Sequence, residues 1–451
     1  MKIINCKIQS AFSNRALYLL IYVNKMLGLI IPVLLALIIP YPSLALDVKP
    51  GGEIFEDFRM EKNYRDTDEN GAVIKTDAIY NLLSLYPSLA LTFENQIKMI
   101  STADITWFSP FDDEEENEAA LSILDAYALF QSESMAIQAG LMPVEAGKGY
   151  LFSGNEPGVR LSGKISSRNH LTIQAAAIYH QSPFITAELE YRFRFLEDIS
   201  LFGAWFIDKD DSVAALFDAI DSNTCSISYV GGRANFFLGN VYVSLMAMTQ
   251  MGDISLELDL PSQNGNQAGR QRWQTKTDNS YDIDLSGYLF DMDMGINLTE
   301  SLSLTAFCLV ASGDGTPLDN HFEGFVLLMP DIRMAPVFFE GIGNQLSTTD
   351  SIHFTGVERE GVIAPGIKLG FKPDDRFFTE LSFTYLYPEE KPSPSQDDFG
   401  WEADIKMTLE WGQNRSIFAE AGMFVPGDYF PADSSEPDRV SRIRMGFYLA
   451  F

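Results

Sequence analysis

The sequence predicts one all-β fold: a single closed antiparallel up-and-down transmembrane β-barrel of about 18 strands, with about 16 as the alternative. Three observations predict it. Apolar residues recur with a period of two from Glu53 onward, the alternating segments are joined by links that are tight and long in turn, and the chain finishes on an alternating strand ending in Phe451. A closed ring of strands satisfies every backbone polar group without water, which hydrocarbon requires. The mean hydropathy of -0.01 over 451 residues agrees, because lipid-facing and water-facing positions cancel.

The N-terminal segment reads as an export signal, residues 1–45. Lys2, Lys7, Arg15 and Lys25 are the only charges before Asp47, and the apolar run Leu27 to Ile39 leads to Ser43-Leu44-Ala45, a small-residue cleavage site. Met26 is an alternative start. The apolar run is short of the roughly 20 residues a spanning helix needs. The expected mature domain is then 46–451. Removing four of 32 basic residues and none of 62 acidic ones leaves 28 against 62, a balance of -34. That sign excludes electrostatic binding of nucleic acid. Cys6 leaves with the signal, and Cys225 and Cys308 make neither a disulfide framework nor a metal cluster.

Strands are predicted at 53–64, 78–93, 95–108, 121–132, 134–142, 157–166, 170–181, 184–195 and 198–208. They continue at 224–238, 240–251, 279–297, 300–311, 361–372, 376–388, 398–412, 415–424 and 438–451. The clearest alternations lie near the end. Trp401, Ala403, Ile405, Met407, Leu409 and Trp411 oppose Glu402, Asp404, Lys406, Thr408 and Glu410, and Ile443, Met445, Phe447, Leu449 and Phe451 oppose Arg442 and Arg444. Links after odd strands are mostly long, the longest being Ser312 to Glu360; links after even strands are tight, as at Gly239 and Gly412-Gln413-Asn414. Sorting by rim is what an outer-membrane barrel shows, with tight turns periplasmic and long loops extracellular. An aromatic girdle is expected from Trp107, Phe108, Trp205, Phe206, Tyr385, Tyr387, Phe424, Tyr429 and Phe430.

By alternation, a mixed-charge lumen is expected from Arg160, Glu188, Glu190, Arg192, Arg194, Arg233, Lys368, Glu380, Glu402, Asp404, Lys406, Glu410, Arg442 and Arg444. Lys98 and Asp104 share that face. The 312–360 loop carries two apolar runs, around Phe325 to Leu328 and at Phe338-Phe339, and is expected to fold inward as a constriction, with packing on the rim as the alternative. Acidic residues gather in two predicted loops: Asp112 to Glu118, then Asp208, Asp210, Asp211, Asp218 and Asp221. Ca²⁺ or Mg²⁺ bridging to lipid head groups is one reading; a solvated acidic loop, without cofactor, is the preferred one. His170, His180, His321 and His353 share no predicted site, and no nucleophile or zinc motif appears. No catalysis is expected.

The C-terminal strands carry a family resemblance. Gly400, Glu402 and Asp404, followed by Phe424, Pro426, Gly427 and Asp428, resemble the closing strands of the alginate-export outer-membrane barrels. Ala139 to Pro143 with Gly147 and Gly149 is similar to that family's mid-barrel strand and loop. The resemblance implies an 18-stranded barrel and passage of a polysaccharide through an arginine-rich lumen. The acidic lumen partners and the short turn at Gly412 depart from that pattern. The expectation is therefore a porin-like channel in the outer membrane of a Gram-negative-type bacterium, passing small solutes or oligosaccharides passively. Its partners are outer-membrane lipid and the barrel-assembly machinery, reached through the Phe451 strand. The alternatives are a closed structural or adhesive barrel and a barrel-embedded envelope hydrolase.

Overall fold

The computed structural model describes residues 46–67, 73–93, 97–110, 118–179, 182–193, 197–209, 211–217, 221–257, 280–315, 320–328, 332, 334–341, 353–354, 359–391, 397–412, 414–430 and 439–451. The expected export signal lies outside them. Eighteen long strands form the wall. They are β1 (Leu46–Thr67), β2 (Val73–Phe93), β3 (Ile97–Pro110), β4 (Glu118–Gln131), β5 (Met135–Ala146) and β6 (Phe152–Lys164). Next come β7 (Asn169–Ile178), β8 (Ser182–Tyr191), β9 (Asp198–Asp208), β10 (Asp221–Leu238), β11 (Val241–Glu257) and β12 (Ser280–Asn297). The set ends with β13 (Leu302–Ala311), β14 (Val362–Phe371), β15 (Phe377–Leu386), β16 (Gly400–Gly412), β17 (Arg415–Pro426) and β18 (Val440–Ala450).

Each wall strand pairs with its sequence neighbours, antiparallel at every wall register, and β1 meets β18 from Glu53↔Ala450 to Lys62↔Ser441. The ring is closed. Two short helices lie in loops, α1 (Ser212–Ala215) and α2 (Pro336–Gly341).

Side chains sort as the alternation demands. Leu201, Trp205, Val230, Met251, Met294, Ile367, Leu381 and Ile417 are among many apolar side chains exposed on the outer face. In water this would be an unusually large apolar surface. Around a closed sheet it is the belt that faces acyl chains.

Strand β11 runs to Glu257, beyond the predicted end at 251. Past Met251 the polarity inverts. Ile254 and Leu256 are buried inside the ring, Ile254 paired with the buried Ile283, whereas the adjacent pair Asp253↔Asp284 is exposed on the other face. The segment stands above the belt, where water is outside and apolar packing is inside, so the lipid-facing apolar alternation ends at Met251 although the strand continues. The expected girdle splits for the same reason. Trp107, Trp205 and Tyr387 are exposed outward, whereas Phe206, Phe424, Tyr429 and Phe430 are buried in the interior packing.

Candidate functional site: the barrel lumen

The lumen has two unlike halves. Toward the long-loop rim it is filled by apolar side chains. Phe325, Val326, Leu327 and Leu328 are fully buried, as are Val337, Phe338 and Phe339 on α2. Backbone polar groups of this inserted segment need partners inside the ring, and the wall supplies them. Gln250 on β11 donates to the Gly324 carbonyl at 2.7 Å and accepts from Val326 N–H at 2.8 Å. Tyr229 on β10 donates to the Val326 carbonyl at 3.1 Å. The Tyr179 hydroxyl donates to the Leu328 carbonyl.

Across the ring, Glu402 on β16 accepts from Val337 N–H at 2.8 Å and Phe338 N–H at 2.7 Å. Phe338 packs between Phe399 and Phe424, ring centroids 5.6 and 5.5 Å away. The predicted constriction residues Phe325, Leu328, Phe338 and Phe339 thus sit inside the barrel, anchored to β10–β11 at one end and β16–β17 at the other.

A second segment enters from β5–β6. These two strands pair with each other from Met135↔Gly163 to Ala146↔Phe152. Pairing of β5 with β4 stops at Ala126↔Leu141, and pairing of β6 with β7 stops at Gly158↔Ala176. Beyond those points the hairpin leaves the wall and turns inward. Gly140 and Gly158 face each other at the bend. Gly140 has φ +131°, and a Cβ there would lie 2.3 Å from the Ala126 carbonyl oxygen; at Gly158 it would lie 2.5 Å from that of Ala175.

The edge that β4 gives up is met by inner-wall side chains. Arg160 Nη2 donates to the Pro143 carbonyl at 2.6 Å, and Gln174 Nε2 donates to that of Glu145 at 2.7 Å. The turn Gly147–Gly149 then lies against Met248 and Phe202, and Lys148 reaches Asp291 and Asp293 on β12, at 3.5 and 3.7 Å. Leu328 N–H donates to the Leu151 carbonyl at 3.1 Å, joining the two inserted segments.

The half nearer the tight turns is polar and ion-paired. Asp57, fully buried, takes Arg59 at 2.6 Å and Arg444 at 2.9 Å; Arg444 also reaches Glu420 at 3.5 Å, and Lys406 closes on Glu420 at 2.9 Å. Ser382 donates to Asp404 at 3.2 Å. On the other side of the ring, Arg233 lies 3.7 Å from Asp198, and the exposed Arg192 pairs with Glu190 at 2.9 Å. Arg160 is held by neutral acceptors, Gln174 at 3.0 Å and Gln138 at 3.4 Å besides Pro143. With Glu188, Glu190 and Arg233 it lines a cavity of about 400 Å³ roofed by Lys148.

Lys368 lies over the Phe307 ring at 4.9 Å. Glu380 and Lys406 are register partners on β15 and β16, Glu410 is exposed near the turn, and Arg442 is buried opposite Glu61. Arg194 lies outside the described residues.

Asp57, Arg59, Glu61, Glu420, Asp291, Asp293 and Lys148 were not singled out by the sequence reading. Six of the seven were legible: Asp291 and Asp293 alternate with Phe290, Met292 and Met294. Lys148, in a loop, had no such signal. Asp208 is engaged in accepting from Val213 N–H at 2.8 Å at α1. No group of three or more metal-ligating side chains is found among the described residues, and Asp112 to Glu116, Asp210 and Asp218 lie outside them.

No family model and no curated protein matches the sequence. Solved structures do match the fold. OccK5 (OpdH) of Pseudomonas aeruginosa superposes with TM-score 0.53 at 9% identity, over 90% of this chain and 98% of that one. OccK2 (OpdF) of the same organism gives 0.53 at 11% identity over 90% and 98%. Its outer membrane protein OprD gives 0.51 at 11% over 89% and 94%. At these identities the likeness is one of fold: the chain has the architecture of an outer-membrane β-barrel.

Proposed function

We propose that this chain is a porin-like outer-membrane channel that passes small solutes down their gradient. The observation that carries the reading is the lumen itself. A ring of strands, each paired with its neighbours, encloses a polar, ion-paired half in which fixed charges can replace part of a solute's hydration. The superposed proteins of Pseudomonas aeruginosa, OprD among them an outer membrane protein, share the barrel fold this reading requires.

Pairing of Arg444 with both Asp57 and Glu420 favours small solutes of mixed polarity over a purely anionic chain. The C-terminal resemblance to alginate-export barrels keeps an oligosaccharide or polysaccharide as the alternative cargo. In this reading residues 1–45 are cleaved on export, and β18 with the adjoining Phe451 addresses the assembly machinery.

Conductance and reversal potential in a planar bilayer test the proposal. An ohmic, ion-selective current is expected. A second reading has its own observation: the fully buried Phe325 to Leu328 and Val337 to Phe339 fill the long-loop half, as in a closed structural barrel. Conductance at the level of bare lipid would favour that reading and sink the channel.

A further inference from the structure

We propose that the wall is open sideways between β4 and β7, and that an amphipathic solute exchanges through this gap between the lipid and the barrel interior. The cargo half of this inference rests on the channel reading; the gap does not.

The missing wall is defined by pairing. Residues Glu118 to Asp125 of β4 pair with β3 on one side, and among the described residues no strand lies on their other side. The β5–β6 hairpin that would cover them has bent into the lumen at Gly140 and Gly158. Between β4 and β7 the wall would otherwise take three strand spacings, roughly 14 Å.

The gap lies at hydrocarbon depth. Leu121 and Ile123 project outward from the uncovered stretch at 70% and 44% exposure, beside Ile105 and Trp107 on β3. Strand edges at that depth persist only where they line a cavity or are buried in protein, because acyl chains offer them no hydrogen bonds. An opening with polar contents satisfies that condition; bare lipid does not.

What stands in the gap is two-faced. Met142, Val144, Ala146 and Phe152 form the buried face of the hairpin and pack into the apolar half of the lumen. The opposite face carries Pro143, Glu145, Ser153 and Asn155 and is less buried. A water-soluble molecule arriving at the long-loop mouth meets the plug made by Phe325 to Leu328 and Val337 to Phe339. A molecule arriving from the outer leaflet meets a polar rim and, behind it, apolar side chains. The fitting solute therefore has an apolar body and a small polar head, and that head is uncharged, because Glu145 and Arg160 line the same cavity and oppose each other in sign.

The test uses the full chain in lipid nanodiscs, with Cys225→Ala and Cys308→Ala and one bimane-labelled cysteine at a time. Brominated lipids are expected to quench N155C, on the hairpin, to at least half the extent seen at the outward I123C, and to leave K406C on the intact inner wall unquenched. Quenching of N155C no stronger than at K406C overturns the gap. Saturable emission shifts at N155C with decanol, and weaker ones with decylamine and decanoate, are expected from the solute assignment; unsaturable or equal shifts overturn it. Ion conductance of the same variants reports the channel separately: current without N155C quenching sinks only the gap, and quenching without current sinks only the channel.

Discussion

Two hairpins of similar length meet different fates. β16–β17 stays in the wall, held by β15 from Leu386↔Gly400 to Phe377↔Leu409 and by β18 from Phe424↔Val440 to Arg415↔Leu449. β5–β6 has a ladder of its own that is as complete, yet neither neighbour follows it past Leu141 and Gly158. A hairpin's internal bonds do not decide whether it is wall. What decides is who satisfies its outer edges, and at β5 two side chains, Arg160 and Gln174, do the work of a strand. The regular hairpin carries the ion-paired ladder on its inner face; the bent one carries the roof of the cavity.

The largest effect is expected from filling the bend. Gly140→Val and Gly158→Val place side-chain carbon against backbone oxygen, with nothing flexible to yield. Loss of the heat-resistant folded band on unheated gels is expected for both. Gly412→Ala, at the tight turn of the regular hairpin, has only Arg415 Cδ at 3.8 Å and is expected to fold as the parent does. Equal folding of all three would remove the glycine pair as the cause of the bend.

Next in size is the ladder. Arg444→Met leaves the fully buried Asp57 with Arg59, and Glu420 with Lys406. Removing one partner of a buried pair costs about 3–5 kcal/mol, with the surviving partners placing this site at the low end. A lower urea midpoint and a reversal potential shifted toward cations are expected. An unchanged reversal potential would mean that solutes do not pass this wall.

The fold was legible because a barrel repeats one instruction. Alternation of Ile443, Met445, Phe447 and Leu449 against Arg442 and Arg444 says the same thing in every strand, so errors in single strands cancel. Even the inward bend left a trace: the predicted strands end at 142 and begin again at 157, next to Pro143 and Pro157, where the wall pairing stops. The contents of the lumen were less legible. Asp57 and Glu420 read correctly as inward-facing once the period is applied, but their meeting with Arg444 depends on the closure of β1 on β18, a contact between residues 387 apart. The burial of Phe206 and Phe424 was misread because an aromatic near a strand end fits a girdle and an interior plug equally well.

Arg160→Met acts on the outer edge of the bent hairpin. It removes the donor to Pro143 and leaves that carbonyl and Gln174 to find other partners. Hydrogen bonds to charged groups contribute about 1.5–3 kcal/mol, so a smaller fall in urea midpoint than for Arg444→Met is expected. Faster backbone hydrogen exchange should be confined to 142–157. Exchange that rises evenly around the ring would contradict the idea that this arginine replaces a strand.

The smallest effect lies on the rim beside the regular hairpin, outside the membrane. There Glu389 accepts from the Tyr288 hydroxyl at 2.8 Å and from Gly313 N–H at 2.9 Å. Desolvation, and then the charges of Glu389 and Glu323, hold the Glu390 carboxyl above the usual carboxylate range. A carboxyl whose folded value is raised favours folding in its neutral form. Its ionisation therefore opposes folding at neutral pH, and the opposition is relieved as pH falls through the folded value, which lies above about 4.3. Glu390→Gln should be slightly more stable than the parent at pH 7, and the difference in melting temperature should shrink toward pH 4. A difference that grows on acidification would reverse the sign and place the strain elsewhere on the rim.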